Sequence, residues 1–127
     1  MKRLTFVVVI CCLLAACATK TPASTGSSGA QGVVTVGPTC PVERVNSPCA
    51  PRPLAATVII SDGSGRIVTR IHSGSDGHFR VDLAPGTYSF TGDRANGAAL
   101  PRPIPATVNV VAGSYTTVTV QYDSGIR

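Results

Sequence analysis

From Gly32 onward apolar and polar residues alternate with a period of two. That is the pattern of strands with one buried face. Val34 and Val36 open the first run, and Ala56, Val58 and Ile60 form the second. Ile67, Thr69 and Ile71 share one face of the third, with Arg66, Arg70 and His72 on the other. Phe79, Val81 and Leu83 point inward next, with His78, Arg80 and Asp82 outward. Tyr88 and Phe90 follow, then Val108 and Val110, then Val118, Val120 and Tyr122. Gly- and Pro-rich punctuation separates the runs at 62–65, 73–77, 85–86, 93–105 and 112–114. No stretch combines helical spacing with caps. The reading is an all-β fold, a seven-stranded antiparallel Greek-key β-sandwich. Its expected core is Val58, Ile60, Ile67, Ile71, Phe79, Val81, Leu83, Tyr88, Phe90, Val108, Val110, Val118 and Val120. Each such side chain contributes roughly 1.5–3 kcal/mol on burial, before chain entropy is counted. With no tryptophan in the chain, aliphatic groups and Phe must fill the centre.

Before Gly32 the pattern is different. Lys2 and Arg3 precede an uncharged run from Leu4 to Ala16, about 13 residues against the ~20 that span a bilayer as a helix. A basic start, a short apolar body and small residues at its end make a secretory signal. The end of the run, Leu14-Ala15-Ala16-Cys17, resembles the lipobox of bacterial lipoproteins. The resemblance implies that residues 1–16 are removed and that Cys17 carries a diacylglyceryl group, with two acyl chains for stable anchoring. It implies a lipid-anchored, extracytoplasmic place in a bacterial cell envelope. Ala18, where Asp would retain the protein at an inner membrane, implies the outer membrane if the source has two. Residues 17–31, rich in Ser, Thr and Gly, then form a tether spanning roughly 20 Å. One domain, 32–127, remains.

Composition narrows the partners. Lys2 and Arg3 supply two of the formal +5, so the mature chain carries +3. No basic stripe interleaves with aromatics, which argues against nucleic acid. The five cysteines sort by place: Cys11 and Cys12 leave with the signal, Cys17 takes the lipid, and Cys40 and Cys49 remain as a pair. In an oxidising compartment that pair reads as a disulfide closing a ten-residue loop, worth roughly 2–3 kcal/mol by chain entropy. The spacing is not CxxC, and no further zinc ligands lie nearby. Five prolines (Pro38, Pro41, Pro48, Pro51 and Pro53) stiffen the excursion, while Glu43 and Arg44 expose charge. The loop therefore reads either as a recognition element or as a staple that pins a strand edge.

The stretch Asp76-Gly77-His78-Phe79-Arg80-Val81-Asp82-Leu83-Ala84-Pro85-Gly86-Thr87-Tyr88 resembles the core signature of carboxypeptidase regulatory-like domains, small prealbumin-like β-sandwiches similar to the B-type repeats of collagen adhesins. Gly77 admits positive φ at its turn, and Pro85-Gly86 suits a type II turn. Ser73-Gly74 stands where the family often has Thr-Asp. The likeness covers roughly residues 32–122 and implies a fold rather than an activity. In addition, Gly37-Pro38-Thr39-Cys40-Pro41 with Cys49, and the segment Tyr122-Asp123-Ser124-Gly125-Ile126-Arg127, resemble a group of bacterial lipoproteins of this fold.

No residue pattern promises catalysis. The nucleophile elbow G-x-S-x-G is absent. Hydroxyisourate hydrolase shares the prealbumin fold but carries Tyr-Arg-Gly-Ser at its end, where this chain has Asp-Ser-Gly-Ile-Arg. The isopeptide cross-link of some adhesin sandwiches needs a lysine, and Lys20 is the last one here. Asp62-Gly63-Ser64-Gly65 offers one carboxylate where calcium wants several oxygens, so it reads as a turn. No metal, cofactor or catalytic residue is expected. The candidate site is an anion-binding face of Arg70, His72, His78 and Arg80, flanking the 73–77 turn. If their strands pair directly, Arg70 faces Arg80, which is unfavourable unless an anion lies between them. If the strands lie in different sheets, the side chains splay into water. The expected role is a membrane-anchored, non-catalytic binding module for a protein or glycan, with a structural envelope protein or accessory subunit of a surface assembly as the alternative.

Overall fold

A computed structural model describes residues 27–127. The signal, Cys17 and most of the tether lie outside the described residues. Among the described residues, nine strands form two stacked sheets. They are β1 (Gly29–Gly37), β2 (Arg52–Pro53), β3 (Thr57–Asp62), β4 (Ile67–His72), β5 (His78–Asp82), β6 (Gly86–Gly92), β7 (Arg102–Ile104), β8 (Ala106–Val110) and β9 (Tyr115–Asp123). One sheet has the order β4-β3-β6-β8. The other runs β2-β1-β9-β7, with β5 sharing the edge of β1 with β2. β1 begins at Gly29, inside the stretch read as tether.

The seven-stranded, purely antiparallel sandwich is therefore corrected on two counts. First, β1 and β9 pair in parallel through nine residues, from Gly29 opposite Tyr115 to Gly37 opposite Asp123. Alternation with period two is the same in parallel and antiparallel strands, so it carries no information on direction. Second, β2 and β7 are short edge strands built around Pro53 and Pro103. Proline reads as punctuation in a sequence, yet an edge strand tolerates it because one side of the backbone needs no partner.

The core follows the alternation closely. Val34, Val58, Ile60, Phe90 and Val120 are fully buried, and Phe79 and Phe90 meet across the two sheets with ring centres 6.2 Å apart. Ile67 departs from the expectation: it opens edge strand β4 beside a bulge at Ile60/Ser61 and is 45% exposed. Ala30 joins the core because β1 starts early.

The 73–77 connection crosses between sheets. Ser73 is buried, and its hydroxyl donates to the Leu54 carbonyl at 2.9 Å and accepts from the Ala56 amide at 2.9 Å. These bonds hold the end of β4 against the 54–56 segment. Gly77 then turns the chain at φ 78, as expected, and its carbonyl accepts from the Val34 amide in the other sheet. Gly86, by contrast, does not make the expected type II turn. It has φ 155 and opens β6. The corner is held by Tyr88, whose hydroxyl donates to the Ala84 carbonyl at 2.7 Å.

Candidate functional site

The sheet crossing separates the four predicted residues. Arg70 and His72 lie on β4, beside Ile59 and Thr57 of β3. His78 and Arg80 lie on β5, beside Val33 and Gln31 of β1. Arg70 and Arg80 are not opposed across a ladder, so the like-charge argument for an anion between them loses its premise. His72 Nδ1 instead shares a 2.9 Å hydrogen bond with the Thr57 hydroxyl. Among the described residues no three of His, Cys, Asp or Glu come together as metal ligands.

His78 and Arg80 do line a groove of about 380 Å³ on the outer face of the five-stranded sheet. Gln31 and Val33 of β1 lie along its middle, with Thr117 and Thr119 of β9 on the far side. At one end the Arg80 guanidinium sits 3.7 Å from the centre of the Tyr115 ring. Arg80 Nη1 donates to Gln31 Oε1 at 3.4 Å, and the Tyr115 hydroxyl donates to the Asp82 carboxylate. Sequence reasoning missed Tyr115, Gln31, Thr117 and Thr119. The available signal was the polar half of the β9 alternation, in which Tyr115, Thr117 and Thr119 all face away from Val118 and Val120.

At the opposite end of β1 the disulfide loop and the 122–127 segment meet. Cys40 and Cys49 are disulfide-bonded, with Cα atoms 5.6 Å apart. The loop closes on itself through the Ser47 amide, which donates to the Arg44 carbonyl at 2.9 Å. Thr39 ties its base by donating to the Ala50 carbonyl at 3.1 Å. The Ser124 amide donates to the Gly37 carbonyl at 2.9 Å, and its hydroxyl donates to the Pro38 carbonyl at 2.6 Å. The two segments that carry the lipoprotein-group resemblance thus form one surface. Between them lies a cavity of about 440 Å³, lined in part by Glu43, Pro51, Ile104, Asp123 and Arg127.

Asp123 locks this end. Its carboxylate accepts from Arg127 Nη2 at 2.8 Å, from the Gly125 amide at 2.9 Å and from Arg102 Nη2 at 3.5 Å. The Arg127 hydrogen bonds, then the Gly125 amide, hold the carboxyl far below the ordinary value of 3.8. A depressed carboxyl supports the fold above its unfolded pKa and loses that support as acid protonates it in the native state. Stability is therefore expected to fall as pH drops below about 4. Urea titrations of wild type and Asp123→Asn across that window test this, because the variant should lack this part of the acid dependence.

The 62–65 turn is also self-contained. The Asp62 carboxylate accepts from the Ser64 hydroxyl at 2.6 Å, the Ser64 amide at 2.9 Å and the Arg66 amide at 3.1 Å. The Ser64 hydroxyl bond, foremost, holds its pKa below the ordinary value. One oxygen serving three internal donors is a turn's chemistry, not a calcium loop's.

No protein-family model matches the chain, and no curated protein matches it. Solved structures share its fold. Over 77% of the chain it is similar to a minor pilin of Streptococcus agalactiae (GBS52), at 15% identity and TM-score 0.55. Over the same share it is similar to the TIE protein of Bacillus anthracis, at 19% identity and TM-score 0.51. The matched region spans 44% of the pilin and 18% of the TIE protein. At these identities the likeness is one of fold.

Proposed function

We propose that this chain is a non-catalytic, extracytoplasmic lipoprotein that serves as a structural or accessory subunit of a bacterial surface assembly. Cys17 tethers it to a membrane, and the disulfide loop meets a protein neighbour. The observation that carries this reading is the exposure of Val42 (70%) and Val45 (102%) on a loop closed by a disulfide. A loop already ordered gives up little entropy when a partner covers it. Position supports the same reading: the tether enters β1 at Gly29, and the loop leaves it at Gly37, about 26 Å away. On an anchored chain the loop thus lies at the end of β1 away from the tether. The fold shared with a minor pilin and the TIE protein supports a surface role. Kinship with carboxypeptidase regulatory-like domains belongs to this proposal too, supported by buried Phe79 and Leu83 and by the Tyr88 clamp within residues 76–88.

The test is cross-linking and capture of the full chain from detergent-solubilised envelope. A form starting at Gln31 would lose Gly29 and Ala30 from the β1 ladder. Wild type is expected to recover a defined protein neighbour. Val42→Asp with Val45→Asp should reduce recovery roughly tenfold or more, the scale of losing an apolar anchor. Cys40→Ser with Cys49→Ser should reduce it as well. Equal recovery by all three proteins would sink the docking role. Labelled palmitate should enter wild type and not Cys17→Ser; label persisting in the variant would remove the anchor.

A further inference from the structure

We infer that the outer face of the five-stranded sheet is a binding site for an acidic glycan, with Arg80 as the group that receives its carboxylate. This goes beyond the assembly role and needs neither the anchor nor the disulfide loop. Among the described residues, Arg80 is the only Arg, Lys, Asp or Glu lining the groove across β5, β1 and β9. The ion pairs among the described residues are those of Asp123 with Arg102 and Arg127, so Arg80 has no carboxylate partner.

The arginine is nevertheless held in place. The Tyr115 ring covers one face of its guanidinium at 3.7 Å, which leaves the N–H edge for an acceptor. The ring is fixed in turn by its hydroxyl bond to Asp82. It reaches across β1 because Gly29 has no side chain: a Cβ there would sit 3.0 Å from Tyr115 Cε1. Gln31 takes one guanidinium N–H at 3.4 Å, a long bond that a carboxylate displaces readily. Four residues on three strands thus orient one cation before any ligand arrives, which lowers the entropy cost of binding.

The rest of the groove suits sugars. Thr117 and Thr119 present hydroxyls from β9, Gln31 presents an amide, and Val33 gives an apolar patch for ring C–H groups. The three strands span about 10 Å. At about 380 Å³ the groove falls in the usual range of small-ligand sites. Phosphate on a lipid headgroup would satisfy Arg80 but would leave the two threonines and the amide unused. A uronic acid polymer uses all of them.

The test is calorimetry and amide NMR on the full chain in detergent, with oligogalacturonate as probe and its methyl ester as the neutral counterpart. The acid is expected to bind, more weakly as salt rises, and to shift the Gln31, Arg80, Thr117 and Thr119 signals. The ester should bind at least about tenfold more weakly, as should Arg80→Gln against the acid, the scale of a charge-assisted hydrogen-bond pair. Arg80→Lys, which keeps charge but not the planar fork, should fall between. Tyr115→Phe should lose affinity while keeping the fold, and Arg70→Gln, on the other sheet, should bind as wild type. Wild-type affinity in a folded Arg80→Gln, or equal binding of the ester, overturns the proposal. So does a response at these residues to phosphatidylglycerol vesicles with none to the oligosaccharide.

Discussion

Replacing Gly32 with alanine is expected to cost about 4 kcal/mol or more, at the extreme of single substitutions and comparable to the whole stability of a small domain. Gly32 sits in the middle of β1, with Phe79 beside it on β5 and Val118 beside it on β9. A Cβ at Gly32 would fall 1.7 Å from the Val118 carbonyl oxygen and 2.8 Å from its carbonyl carbon. Those are backbone atoms, so no rotamer change makes room. The ladder between β1 and β9 must open, and it is the spine of the sheet. Gly63 supplies the control, since a Cβ there meets nothing within 4 Å. Gly63→Ala should stay within about 0.5 kcal/mol of wild type. Urea unfolding followed by far-UV circular dichroism reads both. A Gly32→Ala protein within about 1 kcal/mol of wild type would mean that β1 and β9 are not held as closely as described.

That spine also marks what the sequence could and could not reveal. Side-chain alternation reports which face of a strand is buried, and it placed Val58, Ile60, Phe79, Phe90, Val108 and Val120 in the core, where the structure has them. Pairing direction is written in no single strand. Parallel contact between β1 and β9 joins segments more than eighty residues apart and is set by how the whole chain closes. Gly29 and Ala30 fall in a stretch whose Ser-, Thr- and Gly-rich composition reads as tether, yet Ser28 already bonds across to Leu83, accepting from its amide at 2.9 Å and donating to its carbonyl at 2.7 Å. Small residues there serve close approach rather than flexibility.

The site was legible in proportion to how local its chemistry is. The Cys40–Cys49 pairing reads from the two cysteines that remain once the signal and lipid positions are set aside, and it is formed. The flanking of the 73–77 turn by His and Arg is compatible with a hairpin or with strands in different sheets, and the structure takes the second course. Ser73 marks the crossing. Its hydroxyl serves Leu54 and Ala56, and the chain leaves the sheet instead of folding back along it. The Arg80–Tyr115 stack could not be read from spacing at all. It spans three strands, crosses a glycine and joins residues 35 apart. A tyrosine at the polar phase of a strand was the one visible hint.

Tyr122→Ala is the second substitution with a large expected effect, about 3–5 kcal/mol. Tyr122 is only 4% exposed, belongs to the core cluster, and lines both the cavity beside the 93–101 segment and the one beside the disulfide loop. Its hydroxyl donates to the Asp93 carbonyl at 2.8 Å, tying the start of that segment to β9. Tyr122→Phe separates the two contributions. It keeps the ring and leaves the Asp93 carbonyl without this donor, for an expected loss of about 1–2 kcal/mol. The hydroxyl also gives an independent check in pH. Burial foremost, and the nearby Asp93 charge, raise its pKa above the ordinary 10.0. As pH rises through about 10, the unfolded chain releases this proton while the folded protein keeps it. The folded state then binds more protons, so stability must fall with pH from that point up to the raised folded value. Tyr122→Phe has no such proton to lose. Its urea midpoint should therefore decline less steeply than that of wild type above about pH 10, and parallel declines would show that the phenol is not buried as described.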